Sequence, residues 1–364
     1  MRWEKTRLGW FVLLVVASAC ATLADAETGG ENLPNAAAGP FRSIRSEELG
    51  NLRSAPNGLE DDKTFPRDAA VLDADGDPTT PEVIGYFAVT PAVMGQDPDP
   101  TAKPGAIVRY GATDGRSFDR SPVTVLKPEA AWEGASIGAP AALHFSNEIF
   151  LFYAAEGGIG LARSADGMTF TREPNPVLGP DSSGWEAGLI PTSPGVVVLS
   201  DGSFRMFYEV SGQIGEAQSN DGITWTRRGA GPVLAPSKPA TPDDVPFDGA
   251  SVGSPFPVLM ASSEGRLVLR LYYGARDTLG NAVIGLASRF DPSSEPSDAP
   301  LVRAVSPVFG SGSSLGPDEP CVVVSPGATL LFTTQLAGRT KSAKHPAVAV
   351  GVAPGDATLP APAF

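Results

Sequence analysis

The sequence predicts an all-β fold, a five-bladed β-propeller built from four-stranded antiparallel blades. Three observations lead there. One strand-and-turn unit is written several times along the chain, glycine (41) and proline (36) are abundant, and an acidic residue heads each unit. Many short strands joined by tight turns need that composition, because Gly and Pro supply the backbone angles of turns. A chain of 364 residues can bury a large core, and at 42% apolar it is not disordered throughout.

The clearest copy of the unit runs from Ile159 to Tyr208, as IGLARSADGMTF, TREPNPVLGPDSSGWEAG and SDGSFRMFY. It returns from Ile214 as IGEAQSNDGITW, TRRGAGPVLAP and EGRLVLRLYY. The heads are Asp68, Glu133, Glu186, Asp248 and Asp318, at spacings of 65, 53, 62 and 70 residues. A four-strand unit at this period is the signature of a propeller, and five heads imply five blades. The last unit has CVVVS, ATLLFTT and AVAVGVA but no clear fourth strand. An open ring would expose two sheet edges. The segment FRSIRS, which starts at Phe41 ahead of the first unit, is therefore expected to supply the missing outer strand.

Within each unit the second strand is the most apolar. It carries Tyr86-Phe87, Phe152-Tyr153, Phe207-Tyr208, Tyr272-Tyr273 and Leu331-Phe332, read as packing between neighbouring blades. The third strand repeats Ile-Gly at Ile159-Gly160, Ile214-Gly215 and Ile284-Gly285, where small residues are expected to let adjacent sheets approach. In the turns Ser164 to Phe170 and Ser219 to Trp225, Asp166 and Asp221 are expected to cap their own backbone.

The N-terminus reads as an export signal over residues 1–19. Arg2, Lys5 and Arg7 precede an apolar run from Leu8 to Val16, too short to span a bilayer. Small residues just before Cys20 make it a candidate for lipidation, which predicts an envelope lipoprotein. Ala24-Asp25-Ala26 offers an alternative cut that predicts plain secretion. Residues 20–40 lack apolar periodicity and read as a flexible linker, leaving 41–364 as the propeller domain. A lipid anchor would be the only membrane attachment. If Cys20 carries lipid, Cys321 has no disulfide partner, and its apolar setting makes it a small buried hydrophobe.

A formal net charge of −14 repels phosphate backbones, which argues against nucleic acid as a partner. Neutral sugars or cations fit better, and carbohydrate is the expected partner, with the protein acting as a monomer. Two cysteines and two histidines offer little for a soft-metal site. No cofactor is indicated, although a ring of carboxylates could hold a channel Ca²⁺.

The head acids carry the functional question. Each precedes the inner strand of its unit, so they are expected to ring one mouth of the channel. Converging carboxylates are what glycoside hydrolysis requires, one protonated to donate and one ionised as base or nucleophile. The other reading is architectural: an acid at one place in every repeat accepts backbone N–H groups. The protein would then be a non-catalytic surface propeller binding a glycan or a protein.

At these motifs the sequence resembles the five-bladed propeller glycosidases, both the arabinanase and β-xylosidase group and the invertase and levansucrase group. The resemblance rests on W-E and F-D-G heads followed by Pro, on the FY or YY strand, and on SxDGxTW turns leading to PVL. It implies an inner-strand acid in each of the first three blades. By position Asp68 would be the base or nucleophile, Glu133 the middle acid that tunes its neighbours, and Glu186 the general acid. The first site reads Arg67-Asp68-Ala69 where the family has Asp-Pro, and the middle acid is Glu rather than Asp. Arg67, Trp132, Trp185, Asp248 and Asp318 are the implied substrate-binding residues.

Overall fold

A computed structural model of the chain describes residues 41–43, 64–75, 82–91, 102–113, 118, 122–261, 267–291, 293, 299–313, 316–325, 328–337 and 345–352. The export signal, Cys20 and the linker lie outside the described residues. Five antiparallel sheets are present. The first holds β2 (Thr64–Asp73), β3 (Val83–Pro91), β4 (Ala106–Ala112) and β5 (Val123–Leu126). The second holds β6 (Ile137–Phe145), β7 (Glu148–Ala155), β8 (Gly158–Ser164) and β9 (Thr171–Arg172). The third holds β10 (Thr192–Val198), β11 (Phe204–Val210), β12 (Gln213–Ser219) and β13 (Thr226–Arg228). The fourth holds β14 (Ser251–Ala261), β15 (Leu267–Arg276), β16 (Ala282–Phe290) and β17 (Val302–Arg303), with β18 (Phe309–Ser313) added against β16.

The fifth sheet is built from both ends of the chain. β19 (Asp318–Ser325), β20 (Ala328–Ala337) and β21 (His345–Val352) are completed by β1 (Arg42–Ser43), which pairs Arg42 with Val352 and Ser43 with Gly351. The closure expected of FRSIRS is thus present. The inner strands pack in a closed cycle, β2 on β6, β6 on β10, β10 on β14, β14 on β19 and β19 on β2.

Aromatic residues of the second strands fill the spaces between sheets. Tyr86, Phe87, Phe152, Tyr153, Phe207, Tyr272, Tyr273 and Phe332 are fully buried. Each such ring contributes about 1.5–3 kcal/mol by leaving water. Among the described residues there are five apolar clusters, one at each interface. Phe87 with Phe332 joins the first sheet to the fifth, Ile107 with Leu151 the first to the second, and Phe152 with Met206 the second to the third. Phe207 with Leu271 and Tyr272 with Leu331 close the other two.

The repeated Ile-Gly has a different purpose from the one expected. Gly160, Gly215 and Gly285 do not bring sheets together; each makes room for a tyrosine of its own sheet. A Cβ there would lie 2.4 Å from Cζ of Tyr153, 2.5 Å from that of Tyr208 and 2.4 Å from that of Tyr273. The Asp turns fold as expected. The Asp166 carboxylate accepts from the Met168 and Thr169 N–H groups, each at 2.8 Å, and those bonds hold it at about 2. Asp221 does the same with Ile223 and Thr224.

Candidate functional site

Each inner strand is broken once. Its pairing with the second strand slips between Arg67 and Ala69, Gly138 and Ala141, Thr192 and Gly195, Gly253 and Phe256, and Asp318 and Cys321. At every slip one non-glycine residue adopts positive φ: Asp68 (51°), Ala139 (43°), Ser193 (47°), Ser254 (45°) and Glu319 (55°). In four of the five a proline follows, and a bulge is where a strand tolerates the missing N–H. This conformation costs on the order of 1 kcal/mol or more per residue. All five bulge residues line one cavity at the mouth of the channel.

Four carboxylates and two arginines gather at and behind this mouth; Asp68 and Glu319 line the cavity, and Glu209 and Asp318 stand behind it, bonded to the bulge amides of Ser254 and Glu319. Arg67 donates from Nε to Asp68 Oδ1 at 2.9 Å and from Nη2 to Glu319 Oε1 at 2.6 Å. Asp68 Oδ2 accepts the Ala139 N–H at 3.0 Å. Asp318 is held by Arg276 at 2.9 Å, and Glu209 Oε2 accepts the Ser254 N–H at 3.1 Å. Their proton affinities are driven apart. Burial raises Asp68, and the neighbouring Glu319 raises it further. Burial acts most strongly on Glu319, but the charge of Arg67 together with hydrogen bonds from Asp68, Thr334 and Arg67 outweighs it and holds that carboxyl at about 2. Glu209 is pushed up to about 7 by burial, helped by the charges of Asp318 and Glu319. Asp318 is raised by burial and by Glu319.

The five head acids do not form one ring. Asp68 is itself a bulge residue and Asp318 stands one place ahead of one. Glu133, Glu186 and Asp248 sit six or seven residues ahead of Ala139, Ser193 and Ser254. Recurrence along the chain at spacings of 53 to 70 residues disguised three different structural positions. Glu133, Glu186 and Asp248 are 0%, 2% and 1% exposed, and none lines the mouth cavity. Each is gripped by a tyrosine from the second strand and an arginine from the fourth. Tyr153 donates to Glu133 at 2.6 Å, Tyr208 to Glu186 at 2.8 Å and Tyr273 to Asp248 at 3.1 Å. Arg172, Arg227 and Arg303 approach the same carboxylates to 3.3, 2.9 and 3.3 Å. Glu133 also accepts the backbone N–H groups of Glu129 and Ala130, at 2.6 and 2.8 Å. Burial first, and then the carboxylate, raises each of the three phenols above the ordinary tyrosine value.

The glycines explain this grip. Gly160 lets the Tyr153 ring lie flat across the third strand, where its hydroxyl reaches Glu133. Trp132 stacks on that ring at 6.1 Å and donates from Nε1 to the Pro174 carbonyl at 3.1 Å. Trp185 packs against the apolar cluster between the second and third sheets. Of the residues singled out from sequence, Arg67, Asp68 and Asp318 are brought together; Glu133, Glu186, Asp248, Trp132 and Trp185 are not among them.

Glu209, Arg276 and Glu319 were not expected. The signal for Glu319 was the Xaa-Pro step shared by Ala139-Pro140, Ser193-Pro194, Ser254-Pro255 and Glu319-Pro320. Glu209 follows Phe207-Tyr208 directly, the one acid on a mostly apolar strand. A second, wider cleft opens beside Asp68 and is lined by Pro104, Gly138, Ala139, Ala154, Ile190 and Thr192 among others. Among the described residues no group of three or more Asp, Glu, His or Cys is placed to hold a metal ion.

No protein-family model matches the chain, and no curated protein matches it. Solved structures do. One described as a glycoside hydrolase aligns with a TM-score of 0.60 at 14% identity, over 85% of this chain and 95% of its own. A glycosyl hydrolase from Bacteroides ovatus gives 0.59 at 15% identity, over 87% and 94%. An endo-arabinase from Bacteroides thetaiotaomicron gives 0.51 at 15% identity, over 81% and 96%. The ring of antiparallel sheets described above is therefore the propeller fold seen in glycoside hydrolases.

Proposed function

We propose that the protein is an exported glycoside hydrolase that cleaves an oligo- or polysaccharide by paired-carboxylate acid/base chemistry. The observation that supports this is the divergence of two neighbouring carboxyls, Glu319 lining the channel mouth at about 2 and Glu209 behind the Ser254 bulge at about 7. Hydrolysis of a glycosidic bond needs one protonated and one ionised carboxyl. Glu209 is the proton donor to the leaving oxygen, and Glu319 is the ionised base or nucleophile. Asp68 shares Arg67 with Glu319 and sets how much of the guanidinium charge Glu319 receives. Glu133 and Glu186, expected from the family resemblance as middle and general acids, serve in this reading as braces within their blades. The sugar enters by the cleft beside Asp68. Lipidation of Cys20 places the enzyme at the cell envelope, and cleavage after Ala26 would release it instead.

The test is hydrolysis of a panel of aryl glycosides and plant and bacterial oligosaccharides by the full chain. Glu209→Gln and Glu319→Gln should each lower the kcat of the folded protein by about 10²–10⁴; Glu319→Gln should also lose stability, because it breaks the pair with Arg67. Full activity in both variants would defeat the proposal. Ala139, Ser193 and Ser254, without acids at three of the five bulges, favour a second reading, a glycan-binding propeller that does not turn over. Sugar binding with no hydrolysis of any panel member is its outcome.

A further inference from the structure

The five bulges share one more relationship, and one of them lacks it. A bulge N–H points away from its own ladder and needs an acceptor. Four have one. The Ala139 N–H donates to Asp68 Oδ2 at 3.0 Å, and the Ser254 N–H to Glu209 Oε2 at 3.1 Å. The Asp68 N–H is shared between Thr334 Oγ1 at 2.9 Å and Glu319 Oε2 at 3.3 Å, and the Glu319 N–H donates to Asp318 Oδ1 at 3.0 Å. Every cap involves a carboxylate. Among the described residues, the Ser193 N–H has no such partner.

The register says where its cap is missing. Glu209, which caps the next sheet's bulge, stands opposite Thr192; Thr334, which does the same, stands opposite Asp318. The equivalent residue of the second sheet, opposite Gly138, is Ala154. The bulge residue before Ser193, equivalent to Asp68, is Ala139. Both sources of a cap for Ser193 are alanines. The space they leave lies where the cleft, lined by Asp68, Ala139, Ala154, Glu156 and Thr192 among others and ≈ 530 Å³ in volume, meets the mouth cavity that Ser193 lines; the cleft is large enough for a sugar residue. Lys103 stands at its rim, 3.9 Å from Glu156, whose charge it offsets.

We propose that the missing cap is supplied by the substrate, and that the cleft takes a uronic-acid residue whose carboxylate accepts the Ser193 N–H. This names the substrate class of the hydrolase proposed above and rests on that reading. A carboxylate fits because the four other amides of the ring are all met by one. Thr192 does not fill the role, since its hydroxyl is turned back onto the Glu209 carbonyl at 3.3 Å.

The experiment is a titration of the ¹⁵N-labelled full chain with the methyl glycosides of glucuronate and galacturonate, beside those of glucose and galactose. The uronates should move the Ser193 amide resonance and bind about tenfold or more tightly than their neutral parents. Ala154→Glu places a Glu209-like carboxylate in the cleft and should remove that preference. Ala154→Thr, which copies Thr334, should weaken it and guards against misfolding of the glutamate variant. Equal binding of neutral and acidic sugars, or uronate binding unchanged in both variants, overturns the proposal. The readout needs no turnover. Uronate binding without hydrolysis counts against the hydrolase reading alone, and hydrolysis of neutral glycosides without uronate preference counts against this one alone.

Discussion

Arg67 donates to Glu319 at 2.6 Å across a sequence separation of 252 residues, so a charged contact ties the first blade to the last at the channel mouth. The same guanidinium holds Asp68 at 2.9 Å. Replacing Arg67 with Met leaves two largely buried carboxyls facing each other with no cation between them. Breaking a buried pair from one side costs about 3–5 kcal/mol. Urea denaturation of Arg67→Met should show a loss of that order near neutral pH. Glu319 sits below its ordinary value, so its contribution is present above that value and fades as pH falls towards about 2. The variant should therefore lose least in acid. A loss under 1 kcal/mol at pH 7 would contradict this account.

Glu209 has the opposite sign. Its folded-state carboxyl is raised to about 7 from an ordinary 4.5, so the folded protein holds more protons than the unfolded chain between those values. Stability should fall as pH rises through that window. Glu209→Gln removes the titration, and its stability curve should be flatter there than that of the unaltered protein. If Glu209 donates the proton, the alkaline limb of the kcat profile near pH 7 should vanish with it. Parallel pH profiles for the two proteins would rule out both roles.

The buried triads make a different prediction. Glu133→Gln or Glu186→Gln deprives an arginine and a tyrosine of a shared ionised partner inside the fold. Each should cost about 3 kcal/mol or more in chemical denaturation. The folded fraction should keep its pH profile and substrate affinity, because neither carboxylate lines the mouth cavity. A thousandfold loss of kcat with unchanged melting would return the catalytic role to these acids.

Cys321 is fully buried between the first and fifth sheets, where its sulfur meets the Val71 N–H at 3.2 Å. Burial pushes its thiol up to about 12, so almost no thiolate forms at neutral pH. Ellman's reagent should leave this thiol unmodified in the native protein and react fully in guanidinium. Rapid reaction under native conditions would show that the seam between these blades opens.

The fold was legible because its signals are local. Apolar second strands such as Phe152-Tyr153, Asp-Gly turns and short outer strands recur, and each follows from backbone sterics or side-chain burial. The closure through Arg42 and Ser43 followed from the cost of an open edge. The site was less legible. Asp68 and Arg67 could be singled out, but their partner Glu319 is at the far end of the chain, and only ring closure brings it near. Glu133 and Glu186 drew attention by spacing and by their Trp-Glu heads. Whether an acid faces a channel or a tyrosine depends on a bulge, and a bulge shifts register by a single residue without marking the sequence except through the following proline. Glu209 was missed for a related reason. It belongs to a second strand, yet it acts on the next blade.

The two-residue strand β1 has a consequence for how the molecule comes into being. Arg42 and Ser43 are made long before Gly351 and Val352, the residues they pair with. The clasp therefore waits for the last blade's third strand. Four propeller sectors can assemble ahead of it, but the circle is sealed only when both strands are in place, and losing either one reopens the same joint.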